Sequence, residues 1–575
     1  MRSISIVFCV FVVLLSVNIA QTTIIHVPAE QPTIQAGING AVNGDTVLLA
    51  NGTYTGEGNR NVNYNGKAIT VMSESEDPEV CIIDCQGSGR GFVFQSNETL
   101  AALLEGVTIT NATNAGYAGA ILCNQTSPTI SNCYFSENYA NFGAVIYSCG
   151  TYSEHNHPAL INCIFSENSA GTGGGGMACE YSSPTLVNCR FVNNHANYGG
   201  AMYCNYSSPI LICCSFTGNT VGYWGQGGAI HLHAPYGSGP NLTKCEFSEN
   251  SASGQQGYGG AIDIYDGVPV QLTECVFTQN SAKYGGGIYN IGNNLTLMNC
   301  VFSHNVTEHD GGGIYHENSS SSTFTNCFFS NDSAGEYGGG MFCRSYFSDS
   351  SHPVLTNCSF SGNSAVIGGG MHCYGDISTP ILPTFTNCTF SGNRALHGSG
   401  ISFYDESYAT LKNTIIAFGI EGEAVYCDST STDTFAYCDI YGNGGGDWVG
   451  CIGAQYGING NISCDPMFCY PDTGNYHLKS CSCCKGAGCD SLGNPNSTFN
   501  IGAFPVGCDY LNGDVNGDKV IDIGDVIYLI NYLFKSGPTP TPLPAGDATC
   551  DGNVDVGDVV YLINYLFKGG PAPSC

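Results

Sequence analysis

Asn132-Cys133-Tyr134-Phe135-Ser136-Glu137-Asn138 and, 30 residues later, Asn162-Cys163-Ile164-Phe165-Ser166-Glu167-Asn168 are two copies of one pattern, N-C-x-F-S-x-N. Further copies run from Asn299 to Asn305, Asn357 to Asn363 and Asn387 to Asn393, and degenerate ones keep the cysteine at Cys189, Cys214, Cys245, Cys275 and Cys327. Successive cysteines from Cys133 to Cys388 lie 30, 26, 25, 31, 30, 25, 27, 31 and 30 residues apart. A fixed motif at variable spacing places the insertions in loops and the motif at one position of a repeating coil. A second element follows each copy, as in Gly199-Gly200-Ala201-Met202-Tyr203-Cys204 and Gly259-Gly260-Ala261-Ile262-Asp263-Ile264. Both elements alternate with period two, so each is a strand with one buried face: Cys133 and Phe135 inward, Tyr134 outward; Met202 and Cys204 inward, Tyr203 outward. Two such strands plus a third near Ser-Pro-Thr-Leu fill one turn of a parallel β-helix. About a dozen coils at the ~4.8 Å strand spacing make a rod on the order of 60 Å long.

Stacking assigns most of these residues to the fold. Phe135, Phe165, Phe191, Phe216 and Phe247 are expected to form an internal aromatic column. The asparagines five residues after the cysteines, at 138, 168, 194, 219, 250, 280, 305, 363, 393 and 443, are expected to form an amide ladder, in which Asp332 replaces one amide. The glycines serve the bend before the second strand. The repeat cysteines pack as small hydrophobes, because side chains stacked in register point the same way and suit a disulfide poorly.

The 575-residue chain exceeds one ordinary core and suits such an array, with 78 Gly, 34 Tyr and only 11% charged residues. With 15 Lys+Arg against 46 Asp+Glu its formal charge is −31. That balance excludes nucleic acid as a partner and favours cations. Residues 1–20, with Arg2, an apolar run from Ile4 to Ile19 and Ala20 before Gln21, have the form of a secretory signal, which predicts a secreted, extracellular or cell-surface-attached protein. No other run is long enough to span a membrane in the mature chain.

The G-G-A-I and F-x-x-N elements resemble the repeats of polymorphic outer-membrane proteins and other right-handed β-helix proteins. The resemblance covers residues 119–460 and implies an all-β solenoid, a right-handed single-stranded parallel β-helix, without implying a function. The membrane β-barrel usual in polymorphic outer-membrane proteins is not matched. Ile25-His26-Val27-Pro28, Pro32 to Ile38 and Gly44-Asp45-Thr46-Val47 look like the opening segment of secreted β-helix proteins, so 21–118 is expected to hold an N-terminal cap, with a short helix over the open end, and the first coils. Asp465-Pro466-Met467-Phe468, Tyr476-His477-Leu478 and Ile501-Gly502-Ala503-Phe504 look like the closing segment, within a Cys-rich C-terminal cap at 461–508. Seven cysteines between Cys464 and Cys508 predict local disulfides in preference to zinc.

Residues 509–575 change character. Asp514, Asn516, Asp518, Asp522 and Asp525 stand at positions one, three, five, nine and twelve of an EF-hand-like loop, with the Val520 carbonyl at seven. A second loop begins 33 residues later with Asp547, Thr549, Asp551, Asn553 by its carbonyl, Asp555 and Asp558. These are the candidate Ca2+ ligands. Each loop leads into a helix sharing Tyr-Leu-Ile-Asn-Tyr-Leu-Phe-Lys. The duplication resembles a type I dockerin, a small all-α calcium-binding domain, which implies a cohesin-like scaffold protein as partner. Lys519 stands where that family usually has Gly, and Ile523-Gly524 and Val556-Gly557 lack the hydroxyls of cellulosomal dockerins. Pro538 to Pro544 reads as a stiff connector. Cys508 and Cys575 bracket the module as a candidate clasp.

On the rod, the outward row of the second strand carries Tyr203, Tyr289, Tyr315, Phe342 and His372, expected to form an exposed ligand-binding face for polysaccharide or another extracellular partner. His231, His233 and Asp263 are the one polar convergence that invites proton transfer, with Asp266, Glu246 and Lys283 near. The chain is thus expected to be a binding protein anchored through calcium-dependent dockerin–cohesin contact. Two alternatives stand beside it: a polysaccharide lyase or O-glycosyl hydrolase serving polysaccharide catabolism, and a non-catalytic adhesin or assembly subunit.

Overall fold

The computed structural model describes residues 22–573 apart from 235–238, 268, 319–321, 346–350, 472–473, 491–492, 496–497, 508–512, 519, 536, 541–542, 550–552 and 571–572. The expected leader, Lys519, Asp551, Cys508 and Cys575 lie outside the described residues.

Every strand of the rod pairs in parallel with its equivalent one coil away. One sheet of 16 strands runs from Ile24–Val27 to Thr434–Ala436, a second of 15 from Gly52–Tyr54 to Asp439–Tyr441, and a third of 14 from Val62–Asn63 to Val425–Cys427. The N-C-x-F-S-x-N motif supplies the second sheet and the glycine-pair motif the third. Three strands per coil were expected; a fourth, nine-stranded sheet runs from Thr113–Tyr117 to Ser333–Ala334, in the turn after the ladder asparagine. The ladder holds that turn open and extended, so it pairs as well.

The amide ladder has one repeated geometry. Asn168 Nδ2 donates to the Phe135 carbonyl one coil back and to Asn194 Oδ1 one coil on, each at 3.0 Å, while the Asn168 backbone N–H donates to the same Oδ1 at 3.1 Å. The pattern repeats at Asn194, Asn219, Asn250, Asn280 and Asn363, all buried. It satisfies backbone groups that would otherwise be buried without partners. The first asparagine of the motif forms another ladder: Asn132, Asn162 and Asn188 sit at φ 50–53°, with Asn162 Nδ2 donating to Asn132 Oδ1 at 3.0 Å, Asn188 Nδ2 to Asn162 Oδ1 at 2.8 Å, and Asn132 Nδ2 to Glu105 Oε1 at 3.1 Å. Asn tolerates this left-handed conformation better than most residues.

Ten phenylalanines from Phe135 to Phe390 stack inside the rod, with centroids 4.4–5.0 Å apart. The motif cysteines from Cys133 to Cys388, and Cys438 beyond them, are buried free thiols. In most, the sulfur lies about 3.5 Å from the carbonyl two residues back, as in Cys214 against Ile212. The glycine pair is steric: Gly259 has φ 64°, and a Cβ on Gly260 would collide with the Gly286 carbonyl of the next coil.

The helix Ile34–Gly40, capped by Thr33 Oγ1 accepting from the Ala36 N–H, buries Ile34 and Ile38 over the first coil. The C-terminal end differs from expectation. It is closed by residues 448–455, where Trp448 meets Phe435 edge-on and Ile452 enters the core. Residues 465–504 instead run back along the outside: Phe468, Tyr476, Leu478 and Ile501 cover Ile415 and Ala417, the Ala503 N–H donates to Thr389 Oγ1, and Phe504 reaches Phe328. Apolar residues on the outer face of those strands require such a cover. Disulfides join Cys427 to Cys451 and Cys464 to Cys483. Among the described residues no helix is long and apolar enough to cross a membrane.

Asp332 breaks the ladder's logic. Its Oδ1 accepts from the Asn305 N–H and Nδ2, at 2.8 and 2.9 Å, but its buried Oδ2 occupies the place of an amide donor and has no partner. Burial pushes this carboxyl well above the usual range. Keeping it ionised in the fold therefore costs stability, and the cost grows as pH rises from the unfolded value near 3.8 toward the folded one. Asp332→Asn restores the missing donor and is expected to stabilise the rod by ~1–3 kcal/mol at neutral pH, with a smaller gain at pH 4, as thermal melts at the two pH values will show.

Candidate functional site

The outer face of the third sheet is a groove built from three rows. The middle row is the second residue of each strand: Tyr203, His231, Asp263, Tyr289, Tyr315, Phe342, His372 and Ser402. One flank consists of residues immediately before the glycine pairs, Tyr198, Gln226, Tyr258, Tyr284, Asp310, Tyr337 and Ile367. The other is the fourth residue of each strand, with Asn205, His233, Tyr265, Ile291, Glu317, Arg344, Tyr374 and Tyr404 in successive coils.

This arrangement corrects the expected exposed face. The middle row does stack, with Tyr289 to Tyr315 at 4.7 Å, Tyr315 to Phe342 at 4.9 Å and Phe342 to His372 at 5.5 Å. Yet Tyr289, Tyr315 and Phe342 are only 5–7% exposed, His372 is 1% exposed, and Tyr203 is half-buried. Their flanking neighbours fold over them, as Tyr258 does on Tyr289 at 4.5 Å and Tyr337 on His372 at 4.9 Å. The row is a floor, and the rims present the usable aromatic surface.

His231 and Asp263 are brought together, Nδ1 to Oδ2 at 2.6 Å, but both are buried, and the rings of Tyr198 and Tyr203 pack against His231. Burial raises the Asp263 carboxyl, and its bond to His231 opposes the rise. His233 lies half-buried on the flank, with Nδ1 2.9 Å from Asn205 Oδ1. The histidine–aspartate pair is thus shielded from any bulky substrate. Glu246 is exposed on the second sheet, Lys283 faces Glu308 at 3.7 Å, and the Asp266 side chain lies outside the described residues.

The groove opens where the tyrosine flank is interrupted. A cavity of about 270 Å³ is lined by Asp310, Tyr337 and Ile367 on one side, Phe342 and His372 below, and Arg344, Tyr374 and Tyr404 opposite. Burial, with Glu336 adding to it, pushes the Asp310 carboxyl up to about 6, and its buried Oδ1 has no hydrogen-bond partner. Burial drives His372 down to about 3; its Nδ1 lies 2.5 Å from Ser402 Oγ, so it is neutral. Burial opposes the Arg344 charge, but Tyr315 and Glu317 outweigh it, and the guanidinium sits 5.5 Å from the Tyr374 ring centre. Of these lining residues the middle-row pattern singled out only Phe342 and His372. A signal for the rest is present in the sequence, as the residue before each glycine pair, Tyr at 198, 258, 284 and 337, and as the polar or aromatic residues two beyond every floor position except Tyr289.

In the C-terminal module, helices Ile523–Lys535 and Val556–Lys568 pack through Val526, Leu529, Val559 and Leu562. Each loop folds onto its twelfth residue. Asp525 Oδ1 accepts from the Val515 and Asn516 N–H groups at 2.7 and 3.0 Å and Oδ2 from the Asp522 N–H at 2.9 Å; Asp558 accepts likewise from Thr549 and Asp555. Asp514 Oδ1 accepts from the Gly517 and Asp518 N–H groups, and Asp518 Oδ1 from that of Val520. Asp514, Asp525, Asp547 and Asp558 are all buried. Carboxylates buried together in an oxygen-only donor set fit a hard divalent cation such as Ca2+, held with Asn516, Asp518, Asp522, Thr549, Asp555 and the Val520 and Asn553 carbonyls. Ile523 and Val556, Ile527 and Val560, and Phe534 and Phe567 repeat as exposed apolar pairs on the two helices.

A family model described as a right handed beta helix region matches overlapping stretches, 119–302, 234–382 and 286–463, which together exceed half of the 575 residues. A model of the dockerin type I domain matches residues 512–567. No curated protein matches the chain. Similar solved structures include a mannuronic acid specific polysaccharide family 6 lyase from human gut microbiota, at 12% identity and TM-score 0.37, covering 73% of this chain and 86% of that one. The catalytic unit of a GH87 alpha-1,3-glucanase from Streptomyces thermodiastaticus aligns at 12% identity and TM-score 0.29, over 71% and 65% of the two chains. Tailspike protein 3 of bacteriophage CBA120 aligns at 13% identity and TM-score 0.35, over 72% and 59%.

Because the loops bury four carboxylates, chelation is expected to loosen the module selectively. Limited proteolysis with a chelator should cut within 512–567 and leave the rod whole, and Asp525→Ala plus Asp558→Ala should reproduce that pattern in calcium. Equal resistance with and without chelator would contradict a calcium-held module.

Proposed function

Since the chain belongs to the right-handed β-helix family and ends in a dockerin type I domain, we propose that it is an extracellular subunit that holds a polysaccharide in the groove of its third sheet. The dockerin implies attachment to a complex through a cohesin. The paired exposed residues Ile523/Val556, Ile527/Val560 and Phe534/Phe567 supply apolar contact for that partner in place of hydroxyls.

The observation that carries the polysaccharide reading is the cavity between Tyr337 and the Tyr374–Tyr404 rim. Aromatic rings offer flat apolar faces to the C–H faces of sugar rings, and Asp310 and Arg344 stand at the edge where hydroxyls project. The rows run along the rod with coils ~4.8 Å apart, so a linear polymer lying lengthwise meets the rings of Tyr337, Tyr374 and Tyr404 in successive coils of the cavity. Binding is favoured over hydrolysis because glycoside hydrolysis ordinarily takes two carboxyl groups, whereas Asp310 is the one carboxyl among the described lining residues.

Affinity electrophoresis against a panel of soluble polysaccharides, beside pull-downs on insoluble ones, tests the reading. At least one polysaccharide should retard the wild type, and Tyr337→Ala plus Tyr404→Ala should abolish the shift while calcium-dependent cohesin capture persists. Unaltered retention would remove the groove as the site. New reducing ends or unsaturated products in the same incubations, with calcium on the order of 1 mM, would convert the binding reading into an enzymatic one.

A further inference from the structure

Resting on the polysaccharide reading of the groove, we propose that the cavity takes an uncharged pyranose ring and that Asp310 is the residue that sets this choice, by accepting a hydrogen bond from a ring hydroxyl.

The volume, about 270 Å³, lies just below the ~300 Å³ at which small-molecule pockets commonly begin. It therefore suits one ring of a chain rather than a longer segment. Tyr337, Phe342, Tyr374 and Tyr404 surround that space with aromatic carbon, leaving polar recognition to very few groups. Asp310 Oδ1 is buried without a hydrogen-bond partner at the cavity wall, although nearly every buried polar atom in a folded protein has one. A hydroxyl donor from a ligand satisfies it. A carboxylate group turned toward it has no proton to give at neutral pH and adds a like charge.

The charges facing Asp310 point the same way. Beside it lie His309 and Glu336, bonded to each other at 2.8 Å, and across the cavity stands Arg344. Arg344 already has its charge favoured by the Tyr315 hydroxyl and by Glu317, which accepts from that hydroxyl at 2.7 Å. Asp405 hydrogen-bonds to Tyr374 on the far rim, and the nearby His397 faces Glu423 at 3.5 Å. Carboxylates thus outnumber the lining cation, in a chain of formal charge −31. A uronate entering there meets Asp310 at close range, with Arg344 as the one cation among the described lining residues, and like charges at such distance in a partly desolvated site repel strongly.

Isothermal titration of the full chain in calcium at pH 7 decides the matter, with cello-, xylo- and manno-oligosaccharides as neutral probes and oligogalacturonate and oligomannuronate as acidic ones. The expected result is binding of a neutral series, with every acidic series at least about tenfold weaker. Asp310→Asn, which keeps an acceptor oxygen and removes the charge, should shrink that neutral-to-acidic ratio at least about fivefold, and Asp310→Ala should weaken the neutral series about tenfold. Acidic probes binding as tightly as neutral ones, or a ratio unmoved by Asp310→Asn, overturns the proposal. If acidic probes bind and Tyr337→Ala plus Tyr404→Ala abolishes it, the groove reading survives and only the neutral-sugar inference falls. If no probe of either class binds, both fall.

Discussion

Parallel pairing of each coil with the next, in register but for shifts in the fourth sheet and one at His233/Ala234 in the third, is the constraint from which the rest of the rod follows. It sets every side chain on its counterpart one coil away, so a residue type is acceptable only if it tolerates its own kind as a neighbour. Phenylalanine, asparagine and cysteine do. Phe165 and Phe191 stack face to face, Asn168 and Asn194 bind each other, and Cys189 and Cys214 pack without bonding. Like charges directly paired across strands repel, which accounts for a chain with only 11% charged residues. Where an acid does enter a column, as at Asp332, burial raises its carboxyl well above the usual range.

The same rule shapes the groove. Alternation in the third sheet brings the second and fourth residue of each strand to the outer face, and the bend at the glycine pair brings a third residue alongside. Three parallel rows result, and the middle one is covered by its neighbours however aromatic it is. Usable shape arises where a row changes composition. Tyrosine gives way to Asp310 and then Ile367 on one flank, while Arg344, Tyr374 and Tyr404 succeed one another on the other. The cavity is a local lapse in an otherwise filled pattern.

These features explain what could be read from the sequence. The N-C-x-F-S-x-N spacing contains the coil, the aromatic column and the amide ladder, because each is a relation between equivalent positions. The loops that begin at Asp514 and Asp547 were equally legible as folded units, since the carboxylates and the N–H groups they accept from are close together in the chain. The exposure of Tyr289 and Tyr315 was not, because period-two alternation says which face a residue takes and nothing of what folds over that face. Nor was the path of residues 465–504, whose partners Phe328, Thr389 and Asn413 are remote in sequence and unrelated to the repeat. Asp310 escaped notice because it stands outside the strand, in a row defined only by the glycines that follow it.

The column of buried thiols from Cys133 to Cys438 has a consequence for how the rod loosens. In a stacked array stability is close to a sum over neighbouring layers, so opening can begin at an end or at a weak layer and spread. Each motif cysteine belongs to one layer and is shut away only while that layer is closed. The chain thus carries a chemical address in nearly every turn, and the order in which those sulfurs become reactive records, layer by layer, where the solenoid breathes.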